Sequence, residues 1–555
     1  MRRSHVVVLG LFTLYLVAVG LRLLPTFETG LLYTYDSWED AGRIVPALRS
    51  GFLPGILPHG PLFYVLVLQW CVLSGMSVFE AFLWIIPFLS STLVLSVFLL
   101  TRKMTGDEHA AFYSSLFAAT ASFLLHWTST PVPEAVGLTY IVFIIYLLYR
   151  TISDEDPRHL LMLALSYLAV VLAHHLTPLL FLVGLSILGL DALISRRRGW
   201  KLVTLYMFLS FVPATLIWWN LAIADWTIGV IGRMLAVASP LLALGAVGVG
   251  LFFAAILYVV NRKECFPLSA GRELAFAVSL AGSTACLLLV TVVFLSTQTN
   301  FNLPLGYVLI YGASHMALIY FPTWLGFVLF FNRNREPWKR MFSLSWCLGT
   351  YSVDLLLTFA SFWFVISYRT FSFLILVGLP LLGYGYSFLS RIGNPRWRPV
   401  QGVAIAYLAI LLVPLAFPSA RLAFGSDEFY KNSEYRAAVW MKGHVLGETM
   451  LDSDHRMGKL LRYVTGQFAW LGNASSWIGE VTQSGEFTVI PHSLEYLVIT
   501  STMVDYLVTD GVERQGKPVT PRVMRYLGSS TYIDLIYSSD HVSVYRNSYH
   551  DISIA

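Results

Sequence analysis

Long apolar runs, separated by short basic or proline-containing connections, fill most of the chain and stop near residue 420. A helix that crosses a bilayer needs about 20 mostly apolar residues. By that criterion the pattern predicts about thirteen spans, at 5–24, 79–101, 109–127, 133–150, 159–174, 177–194, 200–221, 239–260, 275–296, 307–331, 343–366, 370–390 and 400–417. One further run, Pro61 to Gly75, is short for a span and reads as a juxtamembrane or re-entrant helix. On that assignment Arg2-Arg3, Arg102-Lys103, Arg150 to Arg158, Arg196-Arg197-Arg198, Arg262-Lys263, Arg333 to Arg340 and Arg391 to Arg398 share one side. Positive charge in short loops stays on the cytoplasmic side, so the N-terminus is expected inside, with the first loop (25–78) and the tail outside.

Past residue 420 the pattern becomes that of soluble protein. Tyr430, Tyr435, Val439 and Trp440 recur at helical spacing, and Tyr496–Thr500, Tyr506–Thr509 and His541–Arg546 are short β-rich runs. The expected architecture is an all-α polytopic membrane domain, 1–420, joined to a small extracytoplasmic α/β domain, 421–555, with Trp440, Leu497, Ile499, Leu507 and Val544 in its core.

Composition agrees. Of 555 residues 56% are hydrophobic and 12% charged, against about 25% charged in soluble domains. A net charge of +5 points to no nucleic-acid partner. Cys71, Cys265, Cys286 and Cys347 lie in or beside apolar segments, with no metal-binding spacing. The apolar run after Arg2-Arg3 reaches Leu24 without a small-residue cleavage site, which favours a retained first span over a signal peptide. Asn473-Ala474-Ser475 is a glycosylation sequon in the expected outer tail.

Ionisable residues gather on the expected outer face. Asp36, Glu39 and Asp40 follow the first span at i, i+3 and i+4, so a helix puts all three on one face. Such a cluster at a membrane surface is a functional-site candidate, against the alternative of a solvated, capping face. Glu134 opens the fourth span, where it either complements the helix dipole or belongs to a site. His174 and His175 end the fifth span; if they are helical, at most one of them faces a site. Tyr368 precedes Arg369, a cation on the side positive charge avoids; it either snorkels to headgroups or grips phosphate oxygens in a two-point contact. Walker-type, GxSxG and HExxH motifs are absent from the sequence.

The order Tyr35-Asp36-Ser37-Trp38, Gly51-Phe52-Leu53-Pro54, Pro58-His59-Gly60-Pro61-Leu62, then Pro133-Glu134, resembles the membrane glycosyltransferases of the GT-C fold. Their members include oligosaccharyltransferase catalytic subunits, protein O-mannosyltransferases and lipid A aminoarabinose transferases. The run His174-His175-Leu176-Thr177-Pro178 is similar to archaeal members. The resemblance implies that Asp36 is the first-loop catalytic aspartate, that Glu134 is the acidic position of the second external loop, and that Arg369 binds the donor phosphate. The sequence departs from oligosaccharyltransferases in lacking WWDYG and in having one second-loop acid where those enzymes usually have two.

The resulting reading is an inverting transferase that moves a sugar from a polyprenyl- or dolichyl-phosphate to an acceptor hydroxyl on a glycolipid, glycan or protein. Asp36 would be the general base, with Glu39, Asp40 and Glu134 on the acceptor side. Arg369 and Tyr368, with His174 or His175, would sit at the donor phosphate. A divalent cation, Mg or Mn, would be held by Asp36 and Glu134, although two carboxylates alone make an incomplete site. The competing readings are oligosaccharyltransferase-like glycan transfer to protein, a transporter or flippase of lipid-linked material, and a receptor-like subunit. Transporter charges are expected near the bilayer midplane in paired halves, whereas here they gather at one face.

Overall fold

The computed structural model describes residues 2–50, 60–154, 156–174, 176–194, 209–218, 271–284, 305–334, 336–359, 364–392, 395–417, 430–445, 450–466, 477–486, 488–491, 494–505, 508–510, 514–515 and 518–548. The expected span at 239–260, most of 200–221, the later part of 275–296, Leu507 and Asn473 lie outside the described residues.

The helices in chain order are α1 (Arg2–Arg22), α2 (Leu24–Thr29), α3 (Tyr35–Ser50), α4 (Pro61–Ser74), α5 (Val78–Ser91), α6 (Leu93–Thr105), α7 (Glu108–Thr120), α8 (Ser122–Ser129) and α9 (Pro133–Asp154). Then come α10 (Pro157–Ala173), α11 (Leu176–Ile194), α12 (Leu209–Trp218), α13 (271–284), α14 (Leu305–His315), α15 (Phe321–Arg333), α16 (Pro337–Phe359), α17 (Phe364–Leu389) and α18 (Arg398–Ile410). Among the described residues six stretches are long and apolar enough to cross a membrane: His5–Arg22, Val78–Thr105, Pro133–Asp154, Ile310–Arg333, Ser372–Leu389 and Pro395–Leu415. α4, with 14 residues, is about 21 Å long at 1.5 Å per residue, shorter than a hydrocarbon core of about 30 Å.

Burial separates rim from centre. The α1 window is 17% buried, with Val6, Val8, Leu9 and Phe12 exposed, whereas the α17 window is 83% buried. Lipid tails give apolar side chains no reason to hide, so helix association in membranes rests on close packing of small residues. α15 and α17 follow that rule. A Cβ at Gly326 would lie 1.8 Å from the Leu381 carbonyl oxygen, and one at Gly385 would lie 2.1 Å from that of Pro322.

The expected span 109–127 is broken. Ala121 has an extended ψ of 119°, which ends α7 and starts α8. A break removes helical donors from the preceding carbonyls, and the fully buried Arg22 donates to one of them, the Ala118 oxygen, at 3.3 Å. Ser122, just past the break, pairs with His315 Nε2 at 2.6 Å.

The C-terminal segment contains α19 (Asn432–His444), α20 (His455–Thr465), α21 (Trp477–Ser484), α22 (Ser501–Asp505) and α23 (Pro521–Ser529). Its sheet has the order β1-β2-β6-β5: β1 (Leu451–Asp452) is parallel to β2 (Tyr496–Thr500), and β6 (Val542–Asn547) runs antiparallel to both β2 and β5 (Ile533–Ser539). The short β3 (Thr509–Asp510) and β4 (Arg514–Gln515) pair separately. β2 is buried along its whole length, so Tyr-Leu-Val-Ile-Thr reads as a continuous apolar run with no alternation. Leu497, Ile499 and Val544 are buried as expected. α19 departs from expectation: it buries Ala437, Ala438 and Met441, leaving Val439 46% exposed and Trp440 half-buried against His444 and Tyr537. Val439 and Trp440 therefore lie towards the surface, and Ala437, Ala438 and Met441 make the helix contact.

The first loop and the C-terminal segment share one core. Trp38, Ala41 and Ile44 of α3, Phe63 and Tyr64 of α4, Met441, Met457, Leu460, Val498 and Val544 form a single buried cluster. Trp38 is fully enclosed, edge-on to Tyr430 and Tyr463 and tilted against Phe79 and Tyr435.

Gly385→Val should prevent recovery of monodisperse protein in detergent, because the added atoms meet backbone. Gly443→Ala, where nothing lies within 4 Å, should be neutral or raise Tm slightly through helix propensity. Size-exclusion and thermal-shift measurements check both.

Candidate active site

α3 starts immediately after Thr34, whose φ of 65° turns the chain sharply out of the preceding link. Ser37 donates to the Tyr33 carbonyl at 2.6 Å and pairs with Thr34 Oγ1 at 3.2 Å, which holds the first turn. Asp36 is the second residue of that helix, Glu39 lies one turn on, and Asp40 follows. Across from them runs α20, whose N-cap Asp454 accepts from the Met457 amide at 2.8 Å.

α20 delivers Lys459 onto the carboxylates. Its ammonium donates to Asp36 Oδ1 at 2.7 Å and lies 2.6 Å from Glu39 Oε2. The lysine side chain is 3% exposed while that of Asp36 is 37% exposed, so the pair joins a buried cation to a partly exposed carboxylate. Burial alone would lower the Lys459 ammonium; Asp36 and Glu39 outweigh it and hold it above the ordinary lysine range. Burial alone would raise Glu39, but Lys459 and Arg43 dominate and bring its carboxyl down to about 2. Arg43 forms an ion pair with Glu39 and lies 3.6 Å from Asp40.

Asp40 faces the other way. It is buried, accepts from the Tyr64 hydroxyl at 2.5 Å, and is pushed up to about 7 because desolvation exceeds the help from Arg43 and Tyr64. Two neighbouring carboxyls on one helix thus take opposite shifts from opposite environments. Beside them His455 is held neutral, at about 4, by burial and by Lys459.

α9, which carries Glu134, meets the end of α10 at His174, at a second corner. Glu134 is buried in the first turn of α9. His174 is not helical: it is the extended C-cap of α10, and its Nδ1 pairs with Thr177 Oγ1 at 2.8 Å. A Cβ at Gly137, one turn past Glu134, would fall 3.0 Å from the His174 Cβ. Gly60 brings the first loop to the same corner. Its φ of 145° and an added Cβ 2.1 Å from the Ala173 oxygen both require glycine there. Pro54, Pro58, His59 and His175 lie outside the described residues. Tyr368 and Arg369 lie in the second turn of α17, and their side chains are outside the described set.

Among the described residues no three His, Cys, Asp or Glu side chains converge as a metal would require. One oxygen of Asp36 is also taken by Lys459, so a divalent cation at Asp36 and Glu134 would have to share or displace that ammonium.

Lys459, Arg43, Tyr64 and His455 were not apparent as site residues in the sequence. One signal was available: Lys459 and Arg456 share the face of α20 that carries Met457 and Leu460. Buried cations of this kind require partners; Arg456 finds Glu434 at 2.8 and 2.9 Å, and Lys459 finds the first-loop acids.

No protein-family model matches the chain, and no curated protein matches it. Solved structures do. The archaeal oligosaccharyltransferase AglB of Archaeoglobus fulgidus, in complex with an inhibitory peptide and a dolichol-phosphate, superposes with a TM-score of 0.56 at 13% identity over 89% of this chain and 69% of that one. The same enzyme in complex with Zn and sulfate gives 0.55 at 14% identity over 88% and 67%. ArnT from Cupriavidus metallidurans in the apo state gives 0.43 at 12% identity over 98% of both chains. The AglB superposition establishes the fold: this chain has the architecture of the GT-C membrane glycosyltransferases.

Two outcomes test the junction. A Cβ at Gly42 would lie 3.9 Å from that of Tyr463, within disulfide range, so the double variant Gly42→Cys/Tyr463→Cys should cross-link on mild oxidation, read as a gel shift reversed by reductant. Because the Glu39 carboxyl is depressed in the folded state, its contribution to docking is complete above about pH 4.5 and is lost as pH falls towards 2. Protease protection of the α3–α20 junction should therefore weaken on acidification through that window, and less so in Glu39→Gln.

Proposed function

We propose that this chain is an inverting membrane glycosyltransferase that moves a sugar from a polyprenyl- or dolichyl-phosphate to an acceptor hydroxyl at the extracytoplasmic face. The observation that carries the reading is the Asp36 carboxylate: anchored by a buried lysine, partly exposed, and set on the first-loop helix of a GT-C fold. The similarity to AglB, solved with a dolichol-phosphate, supports a lipid-linked donor.

The proposed topology has about thirteen spans in 1–420, a cytoplasmic N-terminus, and the first loop and 421–555 outside. Polyprenyl phosphate remains in the bilayer, so the reacting bond must sit where spans meet that outer layer. Asp36 accepts the proton of the acceptor hydroxyl. The acceptor oxygen then attacks the anomeric carbon opposite the lipid phosphate, the anomeric carbon–oxygen bond breaks, and its electron pair leaves on the phosphate. A single displacement inverts the anomeric centre. Arg369 neutralises the departing phosphate, with Tyr368 and His174 or His175 beside it. Glu39 and Asp40 orient the acceptor side, joined by Glu134 from the second corner. No step needs a divalent cation at Asp36 and Glu134; a chelator arm in the assay decides whether one contributes.

Oligosaccharyltransferase-like transfer to protein is the second reading, supported by the AglB fold alone. Offering sequon peptides and glycolipid acceptors side by side with labelled polyprenyl-phosphate sugars separates the two.

Asp36→Asn should lower turnover by about two to four orders of magnitude with donor binding little changed. It should still fold, because Glu39 remains on Lys459; a buried charge left wholly unpaired would cost about 3–5 kcal/mol. Arg369→Ala should weaken donor binding and turnover together, with Arg369→Lys recovering only part. Near-wild-type transfer by folded Asp36→Asn would overturn the mechanism.

A further inference from the structure

We propose that His126, on α8, is a positioning residue for Asp36: its imidazole ties Tyr33, at the entry to α3, to the backbone at the end of the Pro395–Leu415 stretch. The inference rests on the role proposed for Asp36 and adds to it a residue from the middle of the membrane domain.

The imidazole Nδ1 lies 2.9 Å from the Tyr33 hydroxyl and 3.3 Å from the Ala416 carbonyl oxygen, partners 93 and 290 residues away in sequence. Ala416 directly follows the 3-10 turn Val413–Leu415. Carbonyls at a helix end need donors from outside the helix. A carbonyl can only accept, so the Ala416 contact requires the imidazole proton on Nδ1. That N–H faces the Tyr33 oxygen as well, and one donor serves both in a three-centre bond. Ring packing supports the tie: Tyr33 stands edge-on to His126 at 5.4 Å and to Phe417 at 5.6 Å.

α8 is itself held on both sides of His126. Ser122, at its start, pairs with His315 Nε2 at 2.6 Å, and near its end the Thr128 carbonyl accepts from Ser90 Oγ at 2.6 Å. From Tyr33 the connection to Asp36 is short. The Tyr33 carbonyl accepts from Ser37 Oγ at 2.6 Å, and only Thr34, with its φ of 65°, separates Tyr33 from the first turn of α3. Releasing Tyr33 would let that first turn shift while the body of α3 stays packed through Trp38, Ala41 and Ile44. Misplacement of a reacting group on the ångström scale can cost about a hundredfold in rate.

The test separates the donor from the bulk of the side chain. The amide nitrogen of asparagine falls where Nδ1 lies, and that of glutamine where Nε2 lies. With whichever labelled polyprenyl-phosphate sugar the wild type turns over, His126→Asn should keep most of kcat. His126→Gln should lower kcat about ten- to a hundredfold at unchanged donor KM. Loss of packing alone would rank them the other way, because glutamine is nearer histidine in volume. Tyr33→Phe keeps the ring and removes the hydroxyl. Its effect on kcat should be smaller in the His126→Gln background than in the wild type, a cycle that isolates the shared bond from anything else Tyr33 touches. Ring-nitrogen NMR of full-length protein carrying isotope-labelled histidine, assigned by the signal lost in His126→Asn, should show the Nδ1–H form and a shift in Tyr33→Phe. The Gly42–Tyr463 cross-link should still form in every variant. A glutamine variant as active as the asparagine one, additive effects in the cycle, a ring protonated at Nε2 alone, or loss of the cross-link in His126→Gln would overturn the inference. If Asp36→Asn retains transfer, the proposed function fails instead, while the ring-nitrogen signal and its response to Tyr33→Phe still read the tie.

Discussion

A lysine ammonium that is almost wholly removed from water must be met by carboxylates, and much of the architecture around the first loop follows from that requirement. Lys459 finds both partners, Asp36 and Glu39, on a helix from the opposite end of the sequence. Uncompensated, such a charge would destabilise any packing around it. Compensated, it pins α20 to α3. The enclosed Trp38 and its four aromatic neighbours hold the same two helices together on the apolar side. Charge sets the register of the junction and aromatic packing supplies its area.

This arrangement distributes three first-loop acids among three environments. Asp36 is paired and partly exposed, Glu39 is paired twice and held strongly acidic, and Asp40 is buried against Tyr64 and pushed up to about 7. Their helical spacing alone makes them look equivalent. The difference arises from what packs against each: a lysine from α20, an arginine from the same helix, a tyrosine from α4. Of the three, Asp36 has the most exposed side chain, 37% against 22% for Glu39, and access is what a general base for an incoming hydroxyl needs.

Much of the layout was legible from hydropathy because lipid imposes a length rule on apolar helices: α9, α10, α11 and α17 fall close to their expected positions. Asp36 stood out in the sequence as a candidate because charge beside a membrane is costly. β2 and β6 were legible from β-branched and aromatic runs, whereas β1 is two residues long and exists only by pairing with β2. The break at Ala121 was hidden, since an uninterrupted apolar composition says nothing of where a neighbouring Arg22 can replace a helical donor. His174 was placed on a helix by its neighbours and is instead an extended cap. Lys459 was hidden for a simpler reason: a contact across 423 residues leaves no local periodicity, and only the conflict between its charge and its apolar helix face marks it.

The central claim is that a lipid phosphate and the Asp36 carboxylate share one site. The most direct measurement is a structure of the full-length protein with a bound polyprenyl-phosphate sugar. The account predicts density for the phosphate beside the start of α17, with the anomeric carbon between it and the Asp36 carboxylate. A phosphate bound near the bilayer midplane, or on the side of the bundle away from α3, would contradict it.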